Sequence, residues 1–377
     1  MKILCFADLH IGQKAYCQID PTTGLHTREL KAIKILNHLV NEAISQNIDV
    51  VIFAGDMFKN SLVPPTLLNA VNAAFIRLSN AHIHTLVLDG NHDVSKLTTF
   101  SSGLHQFHSL KIPYIKQTRF YGEELLTFNN ITYKFVFLPT YHTKQELTTY
   151  LSQLDTSYPT IIIGHLTIQN AKLNDWNIID NEECIDMDIF KKDNILAVVL
   201  GHLHKHQILH DSEPLIFYCG SADRIDFSEE QQPKGYVLLN INNDVKHTFV
   251  PISFAQQFQT LKIDCTDSND ITTIEDRILS RLQTLTLNDK IVRLQVKVND
   301  NIKINENKII SYAYSHNVQH LLKVQYILDK QEDTAITMTN ALSTFTAVER
   351  YYEGQVRSKE RIMLCKNIIE RVDKNVS

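Results

Sequence analysis

Five short apolar runs within the first 204 residues each stop at a polar motif, and that pairing constrains the fold more than any other feature of the chain. Ile3-Leu4-Cys5-Phe6 leads to Asp8-Leu9-His10, and Val50-Val51-Ile52-Phe53 leads to Gly55-Asp56. Leu86-Val87-Leu88 precedes Gly90-Asn91-His92-Asp93, Ile161-Ile162-Ile163 precedes Gly164-His165, and Ala197-Val198-Val199-Leu200 precedes Gly201-His202-Leu203-His204. Runs this short and this rich in Val and Ile read as strands covered on both faces. The neighbouring glycines let the backbone turn tightly and approach a ligand closely. Carboxylate, amide and imidazole groups at strand ends are oxygen and nitrogen donors. The absence of cysteine among them argues against a closed structural zinc site, and the set suits Mn, Fe, Zn or a similar divalent ion. Two such ions about 3.5–4 Å apart, sharing one carboxylate, can activate a water and clamp a phosphoryl group. No HExxH helix is present, so phosphate esters fit better than peptides as the bond attacked.

Between the runs the periodicity alternates. Leu30, Ile33, Leu36, Leu39, Val40, Ala43 and Ile44 predict a helix over Arg28–Gln46, and Pro64-Pro65 opens a second over Thr66–Leu78. A further helix is expected near Phe100–Ser109. From Ile131 the chain turns strand-rich, with runs at Tyr133–Leu138, Leu215–Cys219 and Tyr236–Asn240. The expected class is α/β (α+β), with stacked sheets flanked by helices. Near Phe254 the pattern changes to a small β-α-β-α-β module over Gln259–Leu328. A polar linker around Asp329–Thr334 then leads to amphipathic helices between Ala341 and Lys374. The expected division is residues 1–254, 255–330 and 338–377.

Net charge is −5 with neutral histidines, so a polyanion would have to be met by a local basic stripe or by bound metal. Six cysteines show no CxxC pairing, which favours reduced thiols. The first apolar run ends at Asp8, too soon for a signal peptide. No apolar stretch approaches the roughly 20 residues of a membrane span. A cytoplasmic protein with no membrane attachment is expected.

DLH, GD, GNHD, GH and GHLH in this order resemble the calcineurin-like metallophosphoesterase superfamily. Cys219-Gly220-Ser221, Arg224, Asp226-Phe227 and Lys234-Gly235 further resemble the nuclease subunits of SbcCD-type double-strand-break repair complexes. The resemblance implies a two-sheet β-sandwich flanked by helices, a small α/β capping, DNA-binding domain and a C-terminal partner-binding segment. It implies that Asp8, His10, Asp56 and His204 hold one divalent ion, and that Asp56, Asn91, His165 and His202 hold a second, with Asp56 bridging. Mn2+ is the expected metal, with Mg2+ or other divalent ions as alternatives. His92 would be the general acid or transition-state stabiliser. Asp93 would orient His92 or cap the following turn. The activity implied is exonuclease or single-strand endonuclease cleavage of DNA in repair, recombination or replication, in a nucleoid-associated setting. The C-terminal helices would bind an SbcC-type ABC ATPase through Tyr351, Tyr352, Ile362 and Ile369, and the helix at 66–78 would contribute to a homodimer.

Two positions depart from the pattern. Some relatives carry a histidine shortly after GD, where this chain has Lys59, either a phosphate contact or a solvated lysine. Where relatives often have proline after the GHxH lysine, this chain has His206, either a group supporting the metals or an ordinary loop residue. The Ser/Thr phosphatase pattern GDxxDRG is broken by Met57-Phe58-Lys59-Asn60. A phosphodiesterase or phosphatase acting on other substrates, and a non-catalytic DNA-tethering scaffold, stand as the alternatives.

Overall fold

The computed structural model describes residues 1–94, 102–172, 184–242, 244–299, 302, 304–316 and 318–328. The expected C-terminal helices over 338–377, with their partner-binding residues, lie outside the described residues.

Two six-stranded sheets stack face to face. The first is built around β1 (Lys2–Phe6), β2 (Val50–Ala54) and β3 (His84–Leu88), which run parallel and in that order, with β4 (Ile115–Thr118) parallel at one edge. On the other side of β1, β11 (Gly235–Ile241) and then β12 (Val245–Pro251) add antiparallel strands. In the second sheet, β6 (Ile131–Leu138), β7 (Thr160–His165), β8 (Ile195–Gly201) and β10 (Leu215–Tyr218) are parallel; β5 (Gly122–Phe128) and β9 (Gln207–His210) close the two edges antiparallel.

The period-2 alternation of strands sorts side chains between layers. Ile3, Cys5, Val50 and Ile52 face the second sheet, where they meet Ile161, Ile163, Ala197 and Val199. Leu4, Phe6, Val51 and Phe53 face the other way, against helices α1 (Thr27–Ser45) and α2 (Pro65–Asn80) and the short α3 (His105–Leu110). Ile162, Val198 and Leu200 pack outward under α4 (Lys144–Gln153), whose Leu147 and Leu151 are buried. Strands covered on both faces must be apolar at every position, which is why they are readable as runs.

A third sheet belongs to the C-terminal part. β13 (Gln257–Asp264), β14 (Lys290–Val298), β15 (His320–Leu321) and β16 (Gln325–Leu328) are parallel. The connecting helices α5 (Ile271–Gln283) and α6 (Glu306–Ser315) cover one side with a separate core of Ile274, Ile278, Leu294, Val296 and Ile309. The last strand of the expected β-α-β-α-β module is in fact two short strands, both paired with β14.

Candidate metal centre

Parallel strands deliver their C-terminal ends to the same edge of a sheet, and in open α/β sheets that edge is where ligands bind. Here β1, β2, β3, β7 and β8 all end at the rim where the polar motifs sit. The loops after β1 and β2 are tied together by main-chain hydrogen bonds, from Asp8 N–H to Gly55 O (2.9 Å), His10 N–H to Asp56 O (3.1 Å) and Lys59 N–H to Ile11 O (2.9 Å).

The backbone at this rim is strained. Asp8, His10, Asp56 and His202 all adopt positive φ, at 52°, 47°, 62° and 93°. Non-glycine residues in that region cost on the order of 1–3 kcal/mol each and persist only where the surroundings over-determine them. The glycines answer a different need, which is clearance. A Cβ on Gly90 would lie 2.1 Å from Asp56 Oδ1, and one on Gly201 would lie 2.0 Å from the Ala54 carbonyl oxygen.

The side chains converge on the buried Asp56 carboxylate. Its Oδ2 stands 3.7 Å from His10 Nε2 and 3.3 Å from His165 Nε2, and its Oδ1 accepts the His92 N–H at 2.8 Å. Asn91 Oδ1 lies 3.0 Å from His165 Nε2 and 3.2 Å from His202 Nδ1. On the other side, His10 Nε2 and His204 Nε2 face one another at 3.1 Å. Asp8 accepts the His202 N–H with both carboxylate oxygens at 3.1 Å, and its ligand atoms group with His10 and His204 and again with Asp56 and His165. Thus Asp8, His10, Asp56, Asn91, His165, His202 and His204 come together at one rim, with the Asp56 carboxylate between the rings of His10 and His165.

Hydrogen bonds on the far ring nitrogens fix which nitrogen each histidine presents. His165 Nδ1 donates to the Ala54 carbonyl at 2.8 Å, and His204 Nδ1 donates to Glu229 Oε1 at 2.7 Å. Their Nε2 atoms therefore face the centre, His165 toward Asp56 Oδ2 and Asn91 Oδ1 and His204 toward His10 Nε2. His10 Nδ1 is itself buried without a hydrogen-bond partner. Carboxylate oxygens set this close to imidazole nitrogens are stabilised by positive charge among them, carried by a protonated ring or by a metal ion. The donor set and its geometry fit a pair of divalent cations.

Charge coupling has the same origin. Burial pushes the Asp8 carboxyl above its ordinary value. Burial pushes Asp56 the same way, but the charge and hydrogen bond of His165, with His10 and the His92 N–H, outweigh it and hold that carboxyl below the usual range. For His165, burial would lower the ring, yet Asp56 holds it up to about 9. The anionic field that retains a proton there is the field a cation would occupy.

His92 stands at the edge of the cluster, its ring edge-on to His10 with centroids 4.9 Å apart. Its Nδ1 donates to the carbonyl of Lys59 at 3.0 Å, so the position that departs from the relatives' pattern orients His92 through its main chain. Asp93 is fully buried and accepts N–H groups from Phe58 (2.8 Å), Gly90 (3.0 Å) and Met57 (3.2 Å), stapling the GNHD loop to the GD loop. His206 sits apart, donating to the Tyr218 carbonyl at 2.8 Å and stacked on Phe249.

Sequence reasoning missed Glu229. Its Oε1 holds His204, while Oε2 takes the buried Lys234 ammonium at 2.7 Å and the Ile225 N–H at 3.0 Å. Burial would raise this carboxyl, but the His204 hydrogen bond and the Lys234 charge outweigh it and hold it down to about 2. Lys234 also donates to Ser221 Oγ and to the His204 carbonyl, so one buried lysine fixes a histidine by its main chain and, through Glu229, by its ring. The available signal was Asp226-x-x-Glu229, the spacing of a helix-start capping pair, which carries no metal signature.

Residues 1–206, more than half of the chain, match the calcineurin-like phosphoesterase family, and the chain belongs to it. It is 25% identical over 292 residues to the SbcD component of the SbcCD nuclease from Staphylococcus epidermidis, covering 71% of this chain and 74% of that one. Among solved structures, a dimetal phosphatase from Danio rerio matches with a TM-score of 0.43 and 12% identity over 66% of this chain and 95% of that one. The protein TT1561 of Thermus thermophilus matches with a TM-score of 0.41 and 14% identity over 66% and 98%. No helix among the described residues is long and apolar enough to cross a membrane.

Proposed function

We propose that this phosphoesterase is a two-metal DNA nuclease that works beside an SbcC-type ABC ATPase. The observation that carries the reading is the placement of Asp56 Oδ2 between the nitrogens of His10 and His165, one carboxylate within reach of both rings. In this reading Asp8, His10, Asp56 and His204 hold one divalent ion and Asp56, Asn91, His165 and His202 hold the other, with Mn2+ as the physiological metal. The ions supply an activated water and neutralise charge on the phosphoryl group. Glu229 and Ala54 keep His204 and His165 in the ligating tautomer. His92, oriented by the Lys59 carbonyl, hands a proton to the leaving oxygen.

The choice of DNA among phosphodiesters is supported by a cleft of about 640 Å3 beside the centre, in which Lys205, Lys262 and Arg293 outnumber one acid, Glu230. Lys205 directly follows His204, whereas Lys262 and Arg293 come from β13 and β14, so residues 255–330 act as a capping domain. A local basic surface of this kind meets a polyanion despite a net charge of −5. The relative's name as a nuclease of an SbcCD complex supports the same substrate and the ATPase partner, met by residues 338–377. A homodimer through the second helix would use its outer surface, because Leu67, Val71, Ala74, Phe75 and Leu78 are buried in the protomer's own core while Ile76 and the preceding Leu62 are exposed.

The test is digestion of end-labelled duplex and single-stranded DNA with manganese, with and without the ATPase. Cleavage that depends on manganese and vanishes in Asp8→Ala is expected; activity that survives EDTA, or is unchanged in that variant, overturns the proposal.

A further inference from the structure

A second cleft, of about 410 Å3, opens beside the GNHD loop, with Val94 in its wall. Its walls come from the β4–β5 link, which supplies Arg119, Phe120 and Tyr121, and from the residues after β6, which supply Pro139 and Tyr141. Because β6 is parallel to β7 and β8, its end reaches the same rim as the metal ligands. Tyr141 donates its hydroxyl to the Asn91 carbonyl at 3.3 Å, and the side chain of Asn91 touches His165 and His202. The cleft is therefore one residue away from the reacting centre.

Its chemistry is aromatic, with one cation, Arg119, and one carboxylate, Glu146. Phe120 is 64% exposed and Tyr141 42% exposed, an expensive arrangement for two rings lining one concavity unless something covers them. Thr118 holds Phe120 in this position, exchanging hydrogen bonds with its N–H and carbonyl at 3.0 and 3.1 Å. The Arg119 guanidinium lies over the Phe120 ring, 5.5 Å from its centroid. Tyr121, packed on Tyr150, carries a buried hydroxyl without a hydrogen-bond partner. Flat faces, a stacked guanidinium and a carboxylate match a nucleobase, which offers a π-face and polar edges together. A phosphate alone would use only Arg119.

Resting on the reading of the centre as a nuclease, we infer that the Phe120–Tyr141 cleft holds the nucleobase of the nucleotide adjoining the scissile phosphate. Phe120 and Tyr141 stack on the base, and the Tyr141–Asn91 hydrogen bond sets the distance from base to metal ligands. The substrate class that follows is a single strand or a frayed end, since a base inside a duplex has no free face to offer.

Single-stranded oligonucleotides carrying one 2-aminopurine, at the 5′ or the 3′ end, test this by fluorescence with the full metal-free chain. Stacking quenches the probe, so wild type should quench one of the two. Phe120→Leu should weaken that quenching interaction about tenfold, and Tyr141→Phe, which keeps the ring, should retain it. Melting temperatures of the variants confirm folding. Equal quenching by wild type and Phe120→Leu, or no quenching of either probe by wild type, overturns the base site. A wild type that quenches but cuts no DNA with manganese would overturn the nuclease reading and leave the base site standing. One that cuts without quenching would do the reverse.

Discussion

The sandwich and the C-terminal sheet are both built from parallel strands followed by helices, yet they treat the acid at a strand's end in opposite ways. After β2 the chain buries Asp56 at 2% exposure among imidazoles, and after β1 it buries Asp8 completely. At the end of β13, Asp264 stays in solvent and closes a local turn, accepting the N–H and hydroxyl of Thr266 at 3.0 and 2.7 Å. Those two hydrogen bonds keep the Asp264 carboxyl below its ordinary value, whereas burial drives Asp8 above its own. A buried carboxylate with no lysine or arginine against it is a cost that folding alone does not justify. The sandwich carries that cost where a cation can answer it, and the C-terminal sheet avoids it.

Four substitutions can break or sharpen this contrast. Asp56→Asn removes the shared carboxylate and should lower hydrolysis by roughly a thousandfold, the several kcal/mol of charge stabilisation that a metal clamp contributes. It should also abolish the rise in melting temperature on adding manganese, which calorimetry would read; a retained shift would mean that the metals are held without Asp56. Ile278→Ala, in the fully apolar core of the C-terminal sheet, should cost about 2–5 kcal/mol in denaturant unfolding. Manganese-dependent turnover of a small diester should be unchanged by it, and a parallel loss there would show that the two regions are not separable.

Glu229→Gln should weaken manganese affinity by about 10–100-fold, measurable by titration calorimetry. It carries a pH signature as well. The folded carboxyl titrates near 2 against an ordinary 4.5, so its contribution, on the order of 3 kcal/mol, is present above about pH 4.5 and lost as pH falls toward 2. Wild-type and variant stabilities should differ by a constant amount above about pH 5 and converge below it. The smallest effect belongs to Asp264→Asn, which should leave both melting temperature and cleavage unaltered, because its bonds are local and exposed.

The contrast also explains what can be read in advance. Strands β1, β2, β3, β7 and β8 are buried on both faces, so their apolar runs and the motifs that follow them stand out. The edge strands β5, β9 and β12 and the partly exposed β4 escape such a reading, since half-exposed residues such as those of Gln207–His210 leave no run to detect. The same holds within the site. Asp8, His10, Asp56 and the histidines sit in glycine-marked motifs, whereas Glu229 and Lys234 find each other only through the fold. Lys59 shows a third limit, because its contribution is a carbonyl oxygen, a group every residue possesses. Asp93 is visible as a residue but not as a staple between loops, a role set by main-chain N–H groups 35 and 36 residues away.

The centre is also assembled from the two ends of a long span. Asp8 meets the His202 N–H across 194 residues, and the amino terminus itself is bonded to the Ile241 carbonyl, with β1 held between β2 and β11. On a ribosome adding about 5–20 residues per second, Asp8 emerges some 10–40 s before its partner exists. Through that interval the first ligands are exposed acids and imidazoles with no pocket around them. Capture of a metal here would thus wait until the chain has been made at least through His204, and an occupied centre would certify that the first and last of the five motifs have met.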